Sequence, residues 1–343
     1  MVSLHELQHR NEDSVTRPQM QRAIGKFGSP EEVCEMKVGF IGLGTMGIGM
    51  ATRIASAGYD LIVHDVRKGS AEPLLASGAK WAETVAELGR QSDVVFTSLP
   101  GPKEMREVGL GDAGLGEVMA PGSAWFDLTT NAPTIVSEVA GPLAEKGINL
   151  LDAPVSGGPT GARNGKLAIY VGGDKATFEK HKALLDSIGD RVMHVGPIGA
   201  GNTAKLAHNC VSMTIRMAIA ETFTLGVKAG MDPLELWHAV RQGVLGRSRT
   251  FDGIGNEYLR ENYDPPSFAL RLAYKDFTLA LDLAKQLGVP MPQAETAYLS
   301  YTEALENGWG ESDSRIAMHV QNERAGVSIK ASAEDVEATL ARG

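Results

Sequence analysis

A glycine-rich turn follows the first strongly apolar run of the sequence. The run Val38–Ile41 leads into Gly42-Leu43-Gly44-Thr45-Met46-Gly47, which has the spacing G-x-G-x-x-G. In such a turn the first glycine permits a tight bend, the second lets backbone N–H groups reach a pyrophosphate, and the third lets helix and strand pack closely. The motif alone is a weak signal, but its place between a strand-like run and a helical stretch predicts a dinucleotide site.

An acidic residue ends the second apolar run, where a dinucleotide-binding fold needs one. Asp65 lies 23 residues after Gly42, near the spacing at which a carboxylate binds the adenosine ribose hydroxyls of NAD. Arg67 and Lys68 follow closely, and their charges could instead meet the 2′-phosphate of NADP. A loop acid or a helix cap would need no ligand. We therefore predict NAD as the cofactor, with NADP possible.

A lysine and an asparagine share one face near the start of a long helical pattern. Lys205 and Asn209 are four residues apart within Asn202–Ala229, so a helix places them one above the other, with Ser212 a turn further on. A cation and an amide beside an otherwise apolar helix suit a small oxyanion or hydroxyl substrate. On spacing alone, a solvated lysine at a helix start is the preferred interpretation.

Small residues dominate the segment Asp152–Ala162. Ser156, Gly157 and Gly158 leave backbone N–H groups free to face an anion, and the Ser156 hydroxyl adds another donor. The same composition is also typical of a tight loop that binds nothing. The segment is therefore a candidate anion site whose interpretation depends on the rest of the pattern.

The elements that would position these residues fall into two parts. Up to about residue 197, short apolar runs alternate with stretches of helical length, which indicates a parallel sheet with βαβ crossovers. Only helical patterns follow. The predicted fold class is α/β, with an N-terminal Rossmann-type parallel sheet domain followed by an all-α C-terminal domain joined by a long helix. The predicted boundaries are an extension over 1–36, the NAD-binding domain over 37–197, the helical domain over 198–330 and a tail over 331–343.

Charge and cysteine content exclude several classes of protein. The 33 basic and 42 acidic residues give a formal net charge of −9, which argues against nucleic acid or an anionic membrane as the main partner. No run of about 18 apolar residues is present, so we expect no transmembrane helix. Cys34 and Cys210 fit neither a zinc site nor a disulfide framework. The expectations are a cytoplasmic location and no metal.

Together with further motifs, these segments resemble the β-hydroxyacid dehydrogenase family, which includes 3-hydroxyisobutyrate dehydrogenase and tartronate semialdehyde reductase. The motifs occur along this chain in the order in which the family has them. Ser98-Leu99-Pro100 looks like the family's loop after the fourth strand, and Phe126–Pro133 looks like its Asp-x-Ser-Thr-x-x-Pro segment. Asp152–Ala162 is similar to the family's substrate signature. Lys205 with Asn209 matches its catalytic pair, and Lys275-Asp276 matches a cofactor-side pair.

The resemblance covers about residues 37–325 and departs from the family in two places. The N-terminal extension is not part of the pattern, and Thr129 stands where the family usually has serine. The first departure leaves location and assembly less defined. The second changes little, because threonine keeps the hydroxyl group.

The resemblance implies a nicotinamide-dependent oxidoreductase that interconverts a 3-hydroxy acid, such as 3-hydroxyisobutyrate or glycerate, and its semialdehyde. Lys205 would act as general acid or base, with Asn209 orienting the same oxygen or the lysine. The small carboxylate substrate would be bound by Ser156, Gly157, Gly158 and Asn209. The cofactor would be bound by Gly42, Leu43, Gly44, Met46, Gly47, Asp65, Leu99, Pro100, Thr130 and Lys275. Family members commonly form dimers or tetramers through the helical domain, so a homodimer or homotetramer is expected.

Alternative functions share parts of this pattern. An imine reductase on the same fold usually replaces the catalytic lysine, and a non-catalytic cofactor-binding module would lose Lys205 or the loop around Ser156. A 6-phosphogluconate-dehydrogenase-like enzyme would need a larger sugar-phosphate site. All three remain alternatives.

The substrate's C2 group is not specified by the sequence. Candidate selectors are Trp237, Arg247, Phe251 and Tyr263, and Arg247 with Arg249 would be the next candidates for binding the substrate anion. We expect His208 to point away from Asn209 and to serve packing or capping, and Asp276 to be structural.

Overall fold

The computed structural model describes residues 36–243 and 253–341. Its first part is built on a nine-stranded sheet whose strands occur in the order β3-β2-β1-β4-β5-β6-β8-β7, with β9 paired to β8. The strands are β1 Lys37–Ile41, β2 Asp60–His64, β3 Lys80–Trp81, β4 Val94–Thr97, β5 Ala124–Asp127, β6 Asn149–Asp152, β7 Val155–Ser156, β8 Leu167–Gly172 and β9 Gly189–Gly196.

The first six strands are parallel to one another. Their carboxyl ends therefore meet at one edge, where ligands bind in open α/β sheets. The later strands break the predicted parallel arrangement: β8, which contains the apolar run Ala168–Val171, is antiparallel to β6, and β9 pairs with β8 in parallel. Local apolar composition indicates a buried strand without giving its direction.

Helices cover both faces of the sheet because successive strand residues point to opposite sides. Phe126 belongs to one buried cluster and its neighbour Trp125 to the other. The α-helices of this domain are α1 Gly47–Ser56, α2 Glu72–Ala76, α3 Val85–Gln91, α4 Pro102–Leu110, α5 Leu115–Val118, α6 Pro133–Glu145, α7 Gly158–Asn164 and α8 Lys175–Asp186. A 3₁₀ turn over Lys68–Ala71 precedes α2.

A 29-residue helix, α9 (Ala200–Lys228), connects the sheet to a helical domain. Gly201 allows the helix to begin close against the sheet, because an added Cβ would lie 2.2 Å from the carbonyl oxygen of Tyr170. Further along, α9 packs on the helices of the second domain through Met213, Ala220 and Phe223. By length and composition α9 could cross a membrane, but these core contacts are those of a domain's central helix.

The remaining helices surround α9 and share one apolar core with it. They are α10 Pro233–Gln242, α11 Leu270–Gln286, α12 Pro292–Glu306, α13 His319–Ala325 and α14 Ala333–Ala341, with a 3₁₀ turn over Ser314–Met318. Part of the segment expected to be a tail is thus the helix α14, whose Val336 is fully buried. Residues 1–35 and the sequence candidates Arg247, Arg249 and Phe251 lie outside the described residues.

Candidate active site

A cavity of about 520 Å³ lies where the carboxyl edge of the sheet meets the helical domain. Its walls come from both domains, as a cleft that closes over two ligands requires. Ten residues proposed from the sequence line it: Met46, Leu99, Pro100, Thr130, Ser156, Gly157, Gly158, Lys205, Asn209 and Lys275. The other five, Gly42, Leu43, Gly44, Gly47 and Asp65, lie behind it on the first βα turn and at the end of β2.

The three motif glycines have different surroundings. Gly42 has φ +92°, and a Cβ there would lie 2.3 Å from the carbonyl oxygen of Ser98. A Cβ at Gly47 would lie 1.9 Å from the carbonyl oxygen of Gly42, whereas one at Gly44 would meet nothing within 4 Å. The first and third glycines are therefore required by the chain's own packing. The open space at the second is where the sequence motif predicts a pyrophosphate.

Asp65 is held against the same turn. Its carboxylate accepts hydrogen bonds from the backbone N–H of Leu43 at 2.7 Å and of Arg67 at 2.8 Å. Lys68 is paired with Glu83 at 2.5 Å, while the Arg67 side chain is 74% exposed and its Nε lies 3.8 Å from the Asp65 carboxylate. The carboxylate is thus fixed beside the glycine turn, and Arg67 is the freer of the two cations considered for a 2′-phosphate.

The start of α9 is anchored on a buried carboxylate at the end of β6. Asp152 accepts hydrogen bonds from the backbone N–H of Gly199 at 2.7 Å and of Asn202 at 2.6 Å, and from the Asn202 amide at 3.2 Å. These N–H groups have no partner within the helix. Burial raises the pKa of Asp152, and its three donors oppose that rise.

The anchor continues across the sheet as a chain of buried polar groups. The side-chain carbonyl oxygen of Asn202 accepts a hydrogen bond from the backbone N–H of Asn131 at 2.6 Å. The side-chain amide of Asn131 in turn donates to Asp127 at 2.7 Å. The Thr97 hydroxyl donates to the other oxygen of Asp127 at 2.7 Å. Burial raises the pKa of Asp127 to about 6 despite these donors. The ends of β4, β5 and β6 are thereby tied to the helix that carries Lys205.

Lys205 is buried and lines the cavity. Among the described residues it forms neither a hydrogen bond nor an ion pair, so its ammonium group is available to a ligand. Burial lowers the pKa of Lys205 to about 8; Asp276 opposes the change and Lys275 adds to it. A lysine with a pKa near the working pH can both donate and accept a proton.

Asn209 is held from two sides. Its amide donates to Asp276 at 2.6 Å, and its carbonyl oxygen lies 3.0 Å from Nδ1 of His208. The expectation that His208 points away from Asn209 is therefore wrong, and both His208 and Asp276 line the cavity. Residues adjacent in a helix do not face each other by Cβ direction, but the imidazole is long enough to fold back.

Lys275 reaches from the helical domain to the sheet domain. Its ammonium group donates to the carbonyl oxygen of Thr130 at 2.9 Å and lies 3.4 Å from that of Pro100. The same group lies 3.1 Å from Asp276. Lys275 therefore spans the cleft beside the loop that Leu99 and Pro100 form.

Thr129, which stands where the family usually has serine, supports the loop that Leu99 and Pro100 form. Its hydroxyl oxygen accepts a hydrogen bond from the backbone N–H of Leu99 at 2.9 Å. Serine would offer the same acceptor, so the loop at Leu99 and Pro100 keeps its support. The expectation that this substitution matters little is consistent with the contact.

Two of the candidate selectors do not line the cavity. Trp237 and Tyr263 are buried within the core of the helical domain. A large side chain with a polar tip suits a binding site or a core equally, and the sequence does not distinguish them. Ser212, which the spacing placed a turn beyond Asn209, lines the cavity. Arg216 also lines it and was missed; its spacing of 7 residues from Asn209 was the available signal.

Comparison with known proteins matches both parts of the chain. Residues 37–196 match the family model described as the NAD binding domain of 6-phosphogluconate dehydrogenase. Residues 199–321 match the one described as NAD-binding of NADP-dependent 3-hydroxyisobutyrate dehydrogenase. The two matches cover the sheet and most of the helical domain.

Full-length relatives give the same result. The 2-hydroxy-3-oxopropionate reductase of Escherichia coli is 35% identical over 281 residues, covering 81% of this chain and 94% of the relative. The 2-(hydroxymethyl)glutarate dehydrogenase of Eubacterium barkeri is 33% identical over 294 residues, covering 86% and 97%. The crystal structure of 3-hydroxyisobutyrate dehydrogenase from Salmonella typhimurium is 31% identical with a TM-score of 0.75, covering 83% and 100%.

The chain belongs to the β-hydroxyacid dehydrogenase family, so it is a nicotinamide-dependent oxidoreductase. The predicted family, fold class, reaction class and cofactor type are thereby confirmed. An imine reductase from Pseudomonas sp. is 17% identical with a TM-score of 0.55. That likeness concerns the fold alone.

Proposed function

We propose that this protein interconverts a 3-hydroxy acid and the corresponding semialdehyde, with Lys205 as the general acid and base. The observation that carries the proposal is a buried lysine of lowered pKa in the cavity that also holds Ser156–Gly158 and Asn209. Among the described residues, this lysine has no hydrogen-bond or ion-pair partner. A reaction that creates or removes an alkoxide at the substrate oxygen needs such a group.

The bound nicotinamide supplies or accepts the hydride, and the chain's own residues bind and orient the substrate. The Ser156 hydroxyl and the backbone N–H groups of Gly157 and Gly158 bind the substrate carboxylate. Lys205 gives its proton to the carbonyl oxygen during reduction and takes the hydroxyl proton during oxidation. Asn209, fixed by Asp276 and His208, keeps one amide hydrogen for the same oxygen.

The test is a panel of 3-hydroxy acids and semialdehydes assayed with NAD(H) and NADP(H). Lys205→Met should lower kcat by about 10²–10⁴-fold and leave NADH binding, followed by its fluorescence, nearly unchanged. Lys228→Met, at the other end of the same helix, is the matched control and should keep full activity. Near wild-type turnover by Lys205→Met would refute the role of Lys205.

We propose NAD as the preferred cofactor. Asp65 sits beside the glycine turn, and its carboxylate repels a 2′-phosphate. The exposed Arg67 is the opposing group. A kcat/KM for NADP(H) that exceeds the value for NAD(H) tenfold would show that Arg67 dominates.

We also propose that the protein is a cytoplasmic homodimer or homotetramer that associates through the helical domain. Val211, Ile215 and Leu225 of α9 are 58%, 37% and 70% exposed. At about 100° per residue they fall within about 80° of the helix circumference, so they form one apolar face. Leu225→Glu should dissociate the assembly in light scattering, whereas an unchanged mass would place the interface elsewhere.

A further inference from the structure

The cavity extends past the reacting centre along α9. Lys205, Asn209, Ser212 and Arg216 occupy successive turns of one helix face, and all four line the cavity. Eleven residues at about 1.5 Å each separate the Lys205 and Arg216 backbones by about 16 Å. A four-carbon hydroxy acid is much shorter than this distance.

Arg216 places a positive charge at that far end. It is half-buried, donates to the hydroxyl of Ser314 at 3.1 Å and also interacts with the hydroxyl of Tyr301, which leaves further guanidinium N–H donors for a ligand. No carboxylate of the described residues forms an ion pair with it. Glu257, which feels its charge at longer range, is bound by Arg315 at 2.5 Å, and Arg315 also binds Asp313 at 2.7 Å.

A partly desolvated guanidinium gains most from an oxyanion that accepts two of its donors. The described cavity lining holds four cationic side chains, Lys205, Arg216, Arg271 and Lys275, and two carboxylates, Asp276 and Glu311. Asp276 accepts a hydrogen bond from Asn209 and pairs with Lys275, while Glu311 is paired with Arg271 at 2.8 Å. Within this lining, Arg216 and Lys205 are the two cations without a carboxylate partner.

We propose that the substrate is a dicarboxylate, a 3-hydroxy acid whose C2 substituent ends in a second carboxylate that Arg216 binds. This inference rests on the proposed function and specifies its substrate class. The first carboxylate lies at Ser156–Gly158 and the reacting oxygen at Lys205. The C2 chain then runs along Asn209 and Ser212 toward Arg216.

The experiment compares three acids with the full chain and NAD: 3-hydroxyisobutyrate, 2-(hydroxymethyl)glutarate, and the neutral distal amide of the latter. The wild-type kcat/KM for the diacid should exceed that for its amide by about 10–100-fold, the size of a charge-assisted contact. Arg216→Met should remove this preference, mainly through KM. Arg216→Lys should retain part of it.

Arg324→Met is the matched control, since Arg324 is a half-exposed arginine of the same domain that pairs with Glu303 outside the cavity. It should keep the wild-type preference. An equal kcat/KM for diacid and amide in the wild type overturns the proposal without any variant. Equal losses on all three acids in Arg216→Met would also overturn it. Failure of every hydroxy acid with the wild type would instead refute the proposed function itself.

Discussion

Replacing Asp276 by asparagine should make the enzyme work at lower pH. The carboxylate of Asp276 raises the pKa of Lys205, against the burial that lowers it to about 8. Oxidation needs the neutral amine, so its kcat/KM should rise with pH around a midpoint near 8. Asp276→Asn removes the charge and keeps an oxygen that can accept the Asn209 amide hydrogen at the same place.

The size of the shift follows from the local charges. An opposite charge nearby changes a pKa by about 1–3 units, and the lower end applies because Lys275 offsets part of the carboxylate's charge. The midpoint should therefore move down by about one pH unit. At pH 7 the neutral fraction of Lys205 would rise from about one tenth to about one half. The kcat/KM for oxidation, which is proportional to this fraction, should then rise about fivefold.

Lys275→Met supplies the opposite perturbation. Its ammonium group lowers the pKa of Lys205, so its removal should move the midpoint up. Initial rates of hydroxy-acid oxidation from pH 6 to 10, with cofactor affinity measured at each pH, separate this effect from loss of the contacts to Thr130 and Pro100. If the pH midpoints of Asp276→Asn and Lys275→Met both move in the same direction, Lys205 is not the titrating group.

Three further predictions concern glycine positions. Gly44→Ala should fold normally yet bind NADH more weakly, since its methyl group projects into the open space of the cradle. Gly47→Ala should destabilise the fold itself, seen as a lower Tm, because its Cβ meets a carbonyl oxygen. At Gly158, where φ is +62° and a Cβ meets nothing within 4 Å, Asp should raise the substrate KM at least tenfold more than Asn, whose shape is nearly the same. Equal KM values in this pair would place the substrate carboxylate elsewhere.

Local spacing identified the candidate residues that lie close together in the chain, and the family resemblance assigned their roles. The glycine turn and the pair Lys205 and Asn209 each fall within one element. Asp276 was harder, because its contact with Asn209 joins residues 67 apart and nothing in the neighbourhood of either residue reports it. Arg216 was within reach, since it continues the helical stripe.

The fold shows the same division. Apolar runs in the sequence predicted the six parallel strands, except for the two-residue β3. The antiparallel direction of β8 depends on how the chain returns to the sheet, which strand composition does not encode. The strand β9 lacks a continuous apolar run because half-exposed and exposed residues fill most of it. Its sequence therefore does not predict a strand.

The buried chain from Asp127 through Asn131 and Asn202 to Asp152 has a consequence for how this enzyme can diversify. The position and direction of α9, which carries Lys205, are set by hydrogen bonds at its first turn, inside the sheet domain. Side chains of α9 beyond Asn209 can then be exchanged without disturbing the spacing between cofactor turn and lysine. New substrates become accessible by altering the distal turns of α9, while the reaction centre is inherited unchanged.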